Sequence, residues 1–326
     1  MNKSPDEAWN AAIVRFNSAN PAQRVQYIYR TDEESKVGTF AGVDSTGLLL
    51  FAVETTSAPP ALDFRSEAVD YFRQERADLG SWLLVLRLRN PSLKDVFSRL
   101  CHDLIATISD CATESDIIGS VVARIRLWQK LFELRPSGVL ELHEIKGLTA
   151  ELLYMKRQLD TGVRDANEIV HAWLGPVGAD QDYIYSTDSV EIKAIGPSSE
   201  RVYISSLQQL DADRPLSLGV WTLRQASPTE AAGYTLNRLS LEIEQTMRGH
   251  PAALTLFRER LLAAGYVQHP AYDSLAFEPI DDETFRVEGK FPRITKDDVL
   301  PGVEAAKYAI SLHAIRGIKG SQHERN

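Results

Sequence analysis

Cysteine is almost absent, with only Cys101 and Cys111 in 326 residues. Two thiols in a stretch of helical periodicity exclude a thiolate zinc site and a disulfide framework, and leave reduced core or surface cysteines. Long apolar runs are missing as well: no stretch approaches the roughly 18 uncharged residues that a membrane-crossing helix needs. Met1-Asn2-Lys3-Ser4-Pro5-Asp6 lacks the apolar segment of a secretory signal, so a cytoplasmic location and no membrane partner are expected. Positive charge is scarce too, because 36 Lys and Arg against 45 Asp and Glu leave a net charge of −9. An acidic chain does not gather a polyphosphate by long-range attraction, so any nucleic-acid partner must be held locally. The remaining composition is that of a globular protein long enough for two domains.

Region 1–140 reads as β-rich followed by two helices. Runs at 25–29, 36–43 and 48–54 are rich in β-branched and aromatic residues and are separated by Asp32-Glu33-Glu34 and Asp44-Ser45-Thr46-Gly47, a pattern of strands and turns. A buried strand is expected at 82–88, ended by Arg89-Asn90-Pro91. Beyond it Leu93, Phe97, Leu100, Leu104 and Ile108, and then Ile117, Val121, Ile125, Trp128 and Phe132, recur at helical spacing. Leu134-Arg135-Pro136-Ser137-Gly138 breaks that pattern.

A second unit is expected at 141–225. Leu148, Leu152, Met155 and Leu159 mark a helix at 145–159, and strands follow at 183–185, 190–195 and 202–204. Ser205-Ser206 is placed to cap a short helix toward Asp211, ahead of a strand at 216–223. The order is helix, three strands, helix, strand. Residues 226–326 read as a mixed C-terminal extension, with helices near 236–247 and 254–264, extended pieces at 275–277 and 285–287, and a polar tail after Ile318.

The chemistry concentrates on Glu191-Ile192-Lys193. Alternation along a strand sends Glu191 and Lys193 to one face and Ile192 to the other. A hairpin with the preceding strand would bring Asp182 toward Glu191, and two like charges so placed call for a cation between them. Their hard oxygens suit Mg²⁺, or Mn²⁺, rather than zinc. Such an ion polarises a phosphoryl oxygen and acidifies water, while Lys193 would orient that water or stabilise developing negative charge. Glu151 lies beside the stripe of Leu148, Leu152 and Met155, at the edge of the buried helical face, from where its carboxylate would reach the same ion.

These residues resemble the PD-(D/E)XK, or restriction-endonuclease-like, nuclease superfamily. Its αβββαβ core carries an acidic residue on the first helix, an Asp on the next strand and a Glu-x-Lys on the strand after that; Glu151, Asp182 and Glu191-Ile192-Lys193 stand in that order. The resemblance implies an α/β fold and a metal-dependent nuclease acting on DNA, with Asp182, Glu191 and the main-chain carbonyl of Ile192 as metal ligands, Glu151 assisting and Lys193 acting on the nucleophile. Gly147-Leu148-Thr149-Ala150-Glu151-Leu152, Trp173-Leu174-Gly175-Pro176, Ile204-Ser205-Ser206-Leu207-Gln208-Gln209-Leu210-Asp211 and Phe291-Pro292-Arg293-Ile294 look like a bacterial branch associated with restriction and phage defence. That likeness adds Gln209 as a further active-site candidate. Gln181 stands where the superfamily name puts Pro, which leaves Asp180 as a competing first ligand.

Blander readings stand beside these. Glu191 and Lys193 would also make a same-face surface ion pair contributing at most about 1 kcal/mol, and Asp180 reads as a turn residue after Gly178. Gly175-Pro176-Val177-Gly178 is not followed by Gly-Lys-Ser/Thr and reads as a turn, not a phosphate loop. Glu141-Leu142-His143-Glu144 lacks the second His of a zinc-protease motif, since Gly147 holds that place. Acidic residues outnumber basic ones across 141–225, and Arg157, Arg164 and Arg201 are scattered as phosphate contacts. Weak unaided binding is therefore expected, with partner subunits such as a helicase-like ATPase or a methyltransferase delivering the DNA. A non-catalytic scaffold or DNA-binding subunit that keeps the core is the alternative.

Overall fold

The computed structural model describes residues 3–32, 37–64, 66–109, 111, 113–134 and 139–318. Residues 33–36, 135–138 and 319–326, where the sequence places part of a turn, the interdomain break and the polar tail, lie outside the described residues. The chain divides into two compact units, Met1–Val139 and Leu140–Asn326.

The first unit opens with helix α1 (Pro5–Ser18), which the sequence reading did not anticipate. Ser4 caps it: its hydroxyl accepts from the Glu7 N–H while the Glu7 carboxylate accepts from the Ser4 N–H. Five antiparallel strands follow, β1 (Tyr27–Asp32), β2 (Thr39–Val43), β3 (Leu49–Thr55), β4 (Val69–Arg76) and β5 (Ser81–Leu88), in the order β1-β2-β3-β5-β4. Strand β4 was also unforeseen, because Asp70, Arg73, Gln74, Glu75 and Arg76 interrupt any apolar alternation; its pairing to the buried strand β5 holds it. The Trp9 indole on α1 donates to the Leu50 carbonyl (2.8 Å) and docks the helix on the sheet. Helices α2 (Lys94–Ser109) and α3 (Glu114–Leu134) complete the unit, each on the apolar stripe read from the sequence.

The second unit begins with α4 (Leu142–Thr161), which buries Ile145, Leu148, Leu152 and Met155, and the short α5 (Ala166–Ala172), capped by Asp165. Next come β6 (Tyr183–Ile184), β7 (Ser189–Ile195), β8 (Arg201–Ile204) and β9 (Leu216–Ala226). After β10 (Tyr234–Thr235), α6 (Leu236–Thr246) and α7 (Pro251–Ala263), the chain forms the long β11 (Ala276–Arg286), β12 (Tyr308–Ser311) and α8 (Leu312–Arg316). The main sheet has the order β10-β11-β9-β7-β6, with β7 parallel to β9 and the other pairs antiparallel. The protein is thus a mixed α/β structure.

Three details correct the sequence reading. The helix expected after Ser205-Ser206 is a single 3-10 turn at Gln208–Leu210, begun by Leu207 without a side-chain cap; Asp211 is already extended and Pro215 leads into β9, so no length remains for a helix. Strand β8 leaves the main sheet and pairs with β12 instead. The pieces at 275–277 and 285–287 are the ends of one strand, β11, paired along its length with β9 through a register shift between Pro279 and Asp281. Residues beyond 225 therefore supply strands to the same sheet that carries β7.

Candidate metal centre

The site forms where the main sheet splits. Strand β6 pairs with β7 only through Tyr183–Val190 and Ile184–Ser189, so one residue earlier the two backbones part. There Asp182 takes over the role of a strand: its Oδ2 accepts from the Ile192 N–H at 2.7 Å. Asp182 is itself held by its backbone, its carbonyl accepting from the N–H groups of Leu174 (2.9 Å) and Gly175 (3.0 Å). Gly175 leaves the space this needs, since a Cβ there would lie 2.7 Å from Asp182 Oδ1 and 3.2 Å from its Cα. The Gly175–Val177 turn is thus a cradle for the carboxylate.

On β7, Glu191 is 1% exposed and Lys193 is half-buried, and the Lys193 Nζ donates to Glu191 Oε1 at 2.5 Å. The two side chains share a face, as strand alternation requires. Ile192 packs the other way, its Cδ1 lying 2.8 Å from where a Cβ at Gly219 would stand, so the glycine on β9 admits the bulk of the isoleucine. The second oxygen of Glu191, Oε2, is buried and has no hydrogen-bond partner among the described residues. A buried, orphaned carboxylate oxygen is costly unless something cationic reaches it.

Helix α4 packs on β7 and presents Glu151. The indole N–H of the fully buried Trp173 donates to Glu151 Oε2 at 2.8 Å, and the Tyr183 hydroxyl donates to the Glu151 carbonyl at 2.9 Å. Burial, and then the Asp182 charge, push the Glu151 carboxyl up to about 8, against the smaller pull of the Trp173 bond and of Lys193. Burial likewise raises Asp182, opposed by Lys193 and the Ile192 N–H. Glu191 is raised well above the ordinary carboxylate range by burial, with Asp182 adding to the effect and Lys193 opposing it. Three carboxylates that hinder each other's ionisation beside one ammonium make up a cluster lacking positive charge.

The structure thus brings Glu151, Asp182, Glu191 and Lys193 into one electrostatic group. Gln209 is differently engaged: its Oε1 accepts from the Ser205 N–H at 2.8 Å and braces the loop after β8. Asp180 is exposed, whereas Asp182 is partly buried. Arg157 is paired with Asp282 and lies over the face of Trp221, and Arg164 is paired with Asp188 and lies over the face of Tyr185. Arg201 is exposed on β8. The late motif is structural: Phe291 is buried among Ile204, Leu210 and Leu216, and Arg293 donates to the Leu210 carbonyl at 2.8 Å. Sequence reasoning assigned no part to the Trp173 indole or the Gly175 cradle; both lay within the quoted Trp173-Leu174-Gly175-Pro176 segment, yet neither carries charge.

The donor set fits a hard divalent ion. It consists of carboxylate oxygens, one of them without a partner. Among the described residues, however, no group of three His, Cys, Asp or Glu side chains is arranged to hold an ion, since Asp182 and Glu191 each spend an oxygen on a neighbour.

A mixed α/β unit with an acid on its first helix, an Asp where two strands part and a Glu-x-Lys on the next strand defines a protein of the PD-(D/E)XK type. Residues 15–313 match the model of a family described as "Putative PD-(D/E)XK family member, (DUF4420)", and the chain belongs to that family. Membership points to nuclease chemistry and, with it, to a divalent metal. No curated protein and no solved structure matches the chain significantly. No helix among the described residues is long and apolar enough to cross a membrane.

Proposed function

We propose that the protein is a Mg²⁺-dependent nuclease, with Mn²⁺ as an alternative ion, that hydrolyses DNA phosphodiester bonds at the acidic cluster of its second unit. Asp182 and Glu191, with the Ile192 carbonyl and Glu151, would hold the ion, which supplies charge to a phosphoryl oxygen and acidifies water. Glu191 offers Oε2 without breaking any bond, and this is the observation that carries the reading. Asp182 keeps its carboxylate in place through the Gly175 cradle and the Ile192 N–H. Glu151 holds a proton on its carboxyl near neutrality, and positive charge brought into the cluster would favour its ionised form. Lys193, held by Glu191 Oε1 on the same face, would orient water or stabilise negative charge developing on the phosphate. A place in a bacterial restriction or phage-defence system, with a helicase-like ATPase or methyltransferase delivering DNA, fits an acidic chain whose arginines near the site are already paired.

A second reading has its own observation. Lys193 and Ile192 already occupy one oxygen each of Glu191 and Asp182, as they would in a non-catalytic scaffold or DNA-binding subunit that keeps the core without its chemistry. Calorimetry with Mn²⁺ separates the two, because a scaffold has no reason to bind the ion through these residues. With the purified chain, metal-dependent cleavage of duplex DNA is expected, lost in Asp182→Ala and in Lys193→Ala; persistent cleavage by both variants would falsify the assignment.

A further inference from the structure

Four basic side chains lie on α4 and β7, and three are matched by an acid. Lys156 pairs with Asp160 one turn on, Arg157 with Asp282, and Lys193 with Glu191. Lys146 is the fourth. It is half-buried and makes no hydrogen bond or ion pair with any described residue. Its Nζ reaches over the end of β7, 3.8 Å from the point where a Cβ at Gly196 would stand, above a turn that Ser199 closes by accepting from the Gly196 N–H. Burial alone depresses its basicity. With no acidic partner among the described residues, this ammonium is open to an anion from outside the chain.

Its position says which anion. The Tyr154 ring packs on Tyr183, which is paired to Val190 near the start of β7, whereas Lys146 reaches Gly196 just past its end. Helix α4 therefore runs antiparallel to β7, and the order Lys146, Glu151, Tyr154 on the helix matches Gly196, Lys193-Glu191, Val190 on the strand. Five residues of helix separate Lys146 from Glu151, about 7.5 Å of rise, so an anion at Lys146 would lie close to the acidic cluster without touching it.

We propose that Lys146 is a substrate-binding residue whose ammonium contacts a backbone phosphate of the DNA strand, one or two nucleotides from the scissile bond, beside Gly196. The proposal rests on the nuclease reading and adds to it the local cation that an acidic protein needs in order to hold a polyanion. It assigns Lys146 no part in the chemical step.

The test is binding of a short fluorescein-labelled DNA duplex to the full chain, with Ca²⁺ present, across a salt series, joined to cleavage with Mg²⁺. For Lys146→Gln, affinity falls about fivefold to tenfold at 0.1 M salt and the slope of log affinity against log salt shrinks by about one, the signature of one lost phosphate contact. Lys146→Arg restores most of both, and at saturating DNA the kcat of Lys146→Gln stays within about twofold of wild type. Circular dichroism of each variant reports folding. Wild-type affinity and slope in Lys146→Gln, with cleavage intact, overturn the assignment of Lys146 and leave the nuclease reading standing. Absence of both DNA binding and cleavage in the wild type overturns the two together.

Discussion

The arginine-held carboxylates of the first unit and the acidic cluster of the second are treated in opposite ways. In the first, Asp103 on α2 accepts from Arg124 Nε (2.5 Å) and NH2 (2.7 Å) and from the Trp128 indole (2.7 Å), and Asp70 and Asp44 share Arg87. Its buried polar groups, Thr31, Thr39 and Thr55, are hydroxyls. In the second, Glu151 has a tryptophan donor much as Asp103 does, but no arginine among the described residues pairs with it; a single lysine serves Glu151, Asp182 and Glu191 electrostatically. Nor is burial alone the difference: Glu283 on β11 is 3% exposed, yet both its oxygens accept from Arg316. A carboxylate placed for stability is given a guanidinium. A cluster left short of positive charge costs stability, and such clusters mark functional sites.

That contrast is open to experiment. The largest expected effect is chemical: Asp182→Ala lowers metal-dependent cleavage by about 10³-fold or more, whereas Asp103→Asn leaves cleavage per folded molecule unchanged and costs about 1–3 kcal/mol of stability through its lost charge-assisted bonds. Equal losses of cleavage in the two variants would erase the distinction. Next, Gly175→Ala displaces the Asp182 carboxylate and weakens Mn²⁺ binding about tenfold by calorimetry, since the added Cβ would stand 2.7 Å from Oδ1.

Thermal stability of the metal-free protein provides a third measure. The Glu151 carboxyl moves from an ordinary 4.5 to about 8 on folding, so the native state binds more protons across that window and stability falls as pH rises through it. Tm should decline from about pH 5 to pH 8, Glu151→Gln should flatten the decline, and Mn²⁺ should offset it at pH 8 by binding the native state. A Tm that rises over this range would show that the cluster is not short of positive charge. The smallest effect separates the two tryptophans. The Trp173 bond favours the charged form of Glu151, so Trp173→Phe moves the decline toward higher pH, while Trp128→Phe lowers Tm without moving it.

Much of the site was legible before any coordinates. Period-2 alternation placed Glu191 and Lys193 on one face, and the 3.6-residue stripe of α4 put Glu151 at its edge. Elements with strong periodicity, such as α2, α3, α4 and β5, were read within a few residues of their bounds. Others were not: β4 is polar along most of its length, α5 is too short to show a period, and the helix foreseen after Ser205 had candidate caps but no room before Pro215. Gln209 looked like a site residue because of where it falls in a motif, yet its amide oxygen closes the local turn.

Sequence alone settled the α/β character, the acid-acid-Glu-x-Lys order and the scarcity of positive charge, because each is carried by composition or by neighbours in the chain. Only the folded arrangement decided that Asp182 fills the gap where β6 leaves β7, that Trp173 and Gly175 hold the carboxylates, that Arg157 and Arg164 are already paired, and that β11 joins the sheet. Those outcomes depend on groups brought together from distant segments, and on which oxygens are left without a donor once packing has excluded water.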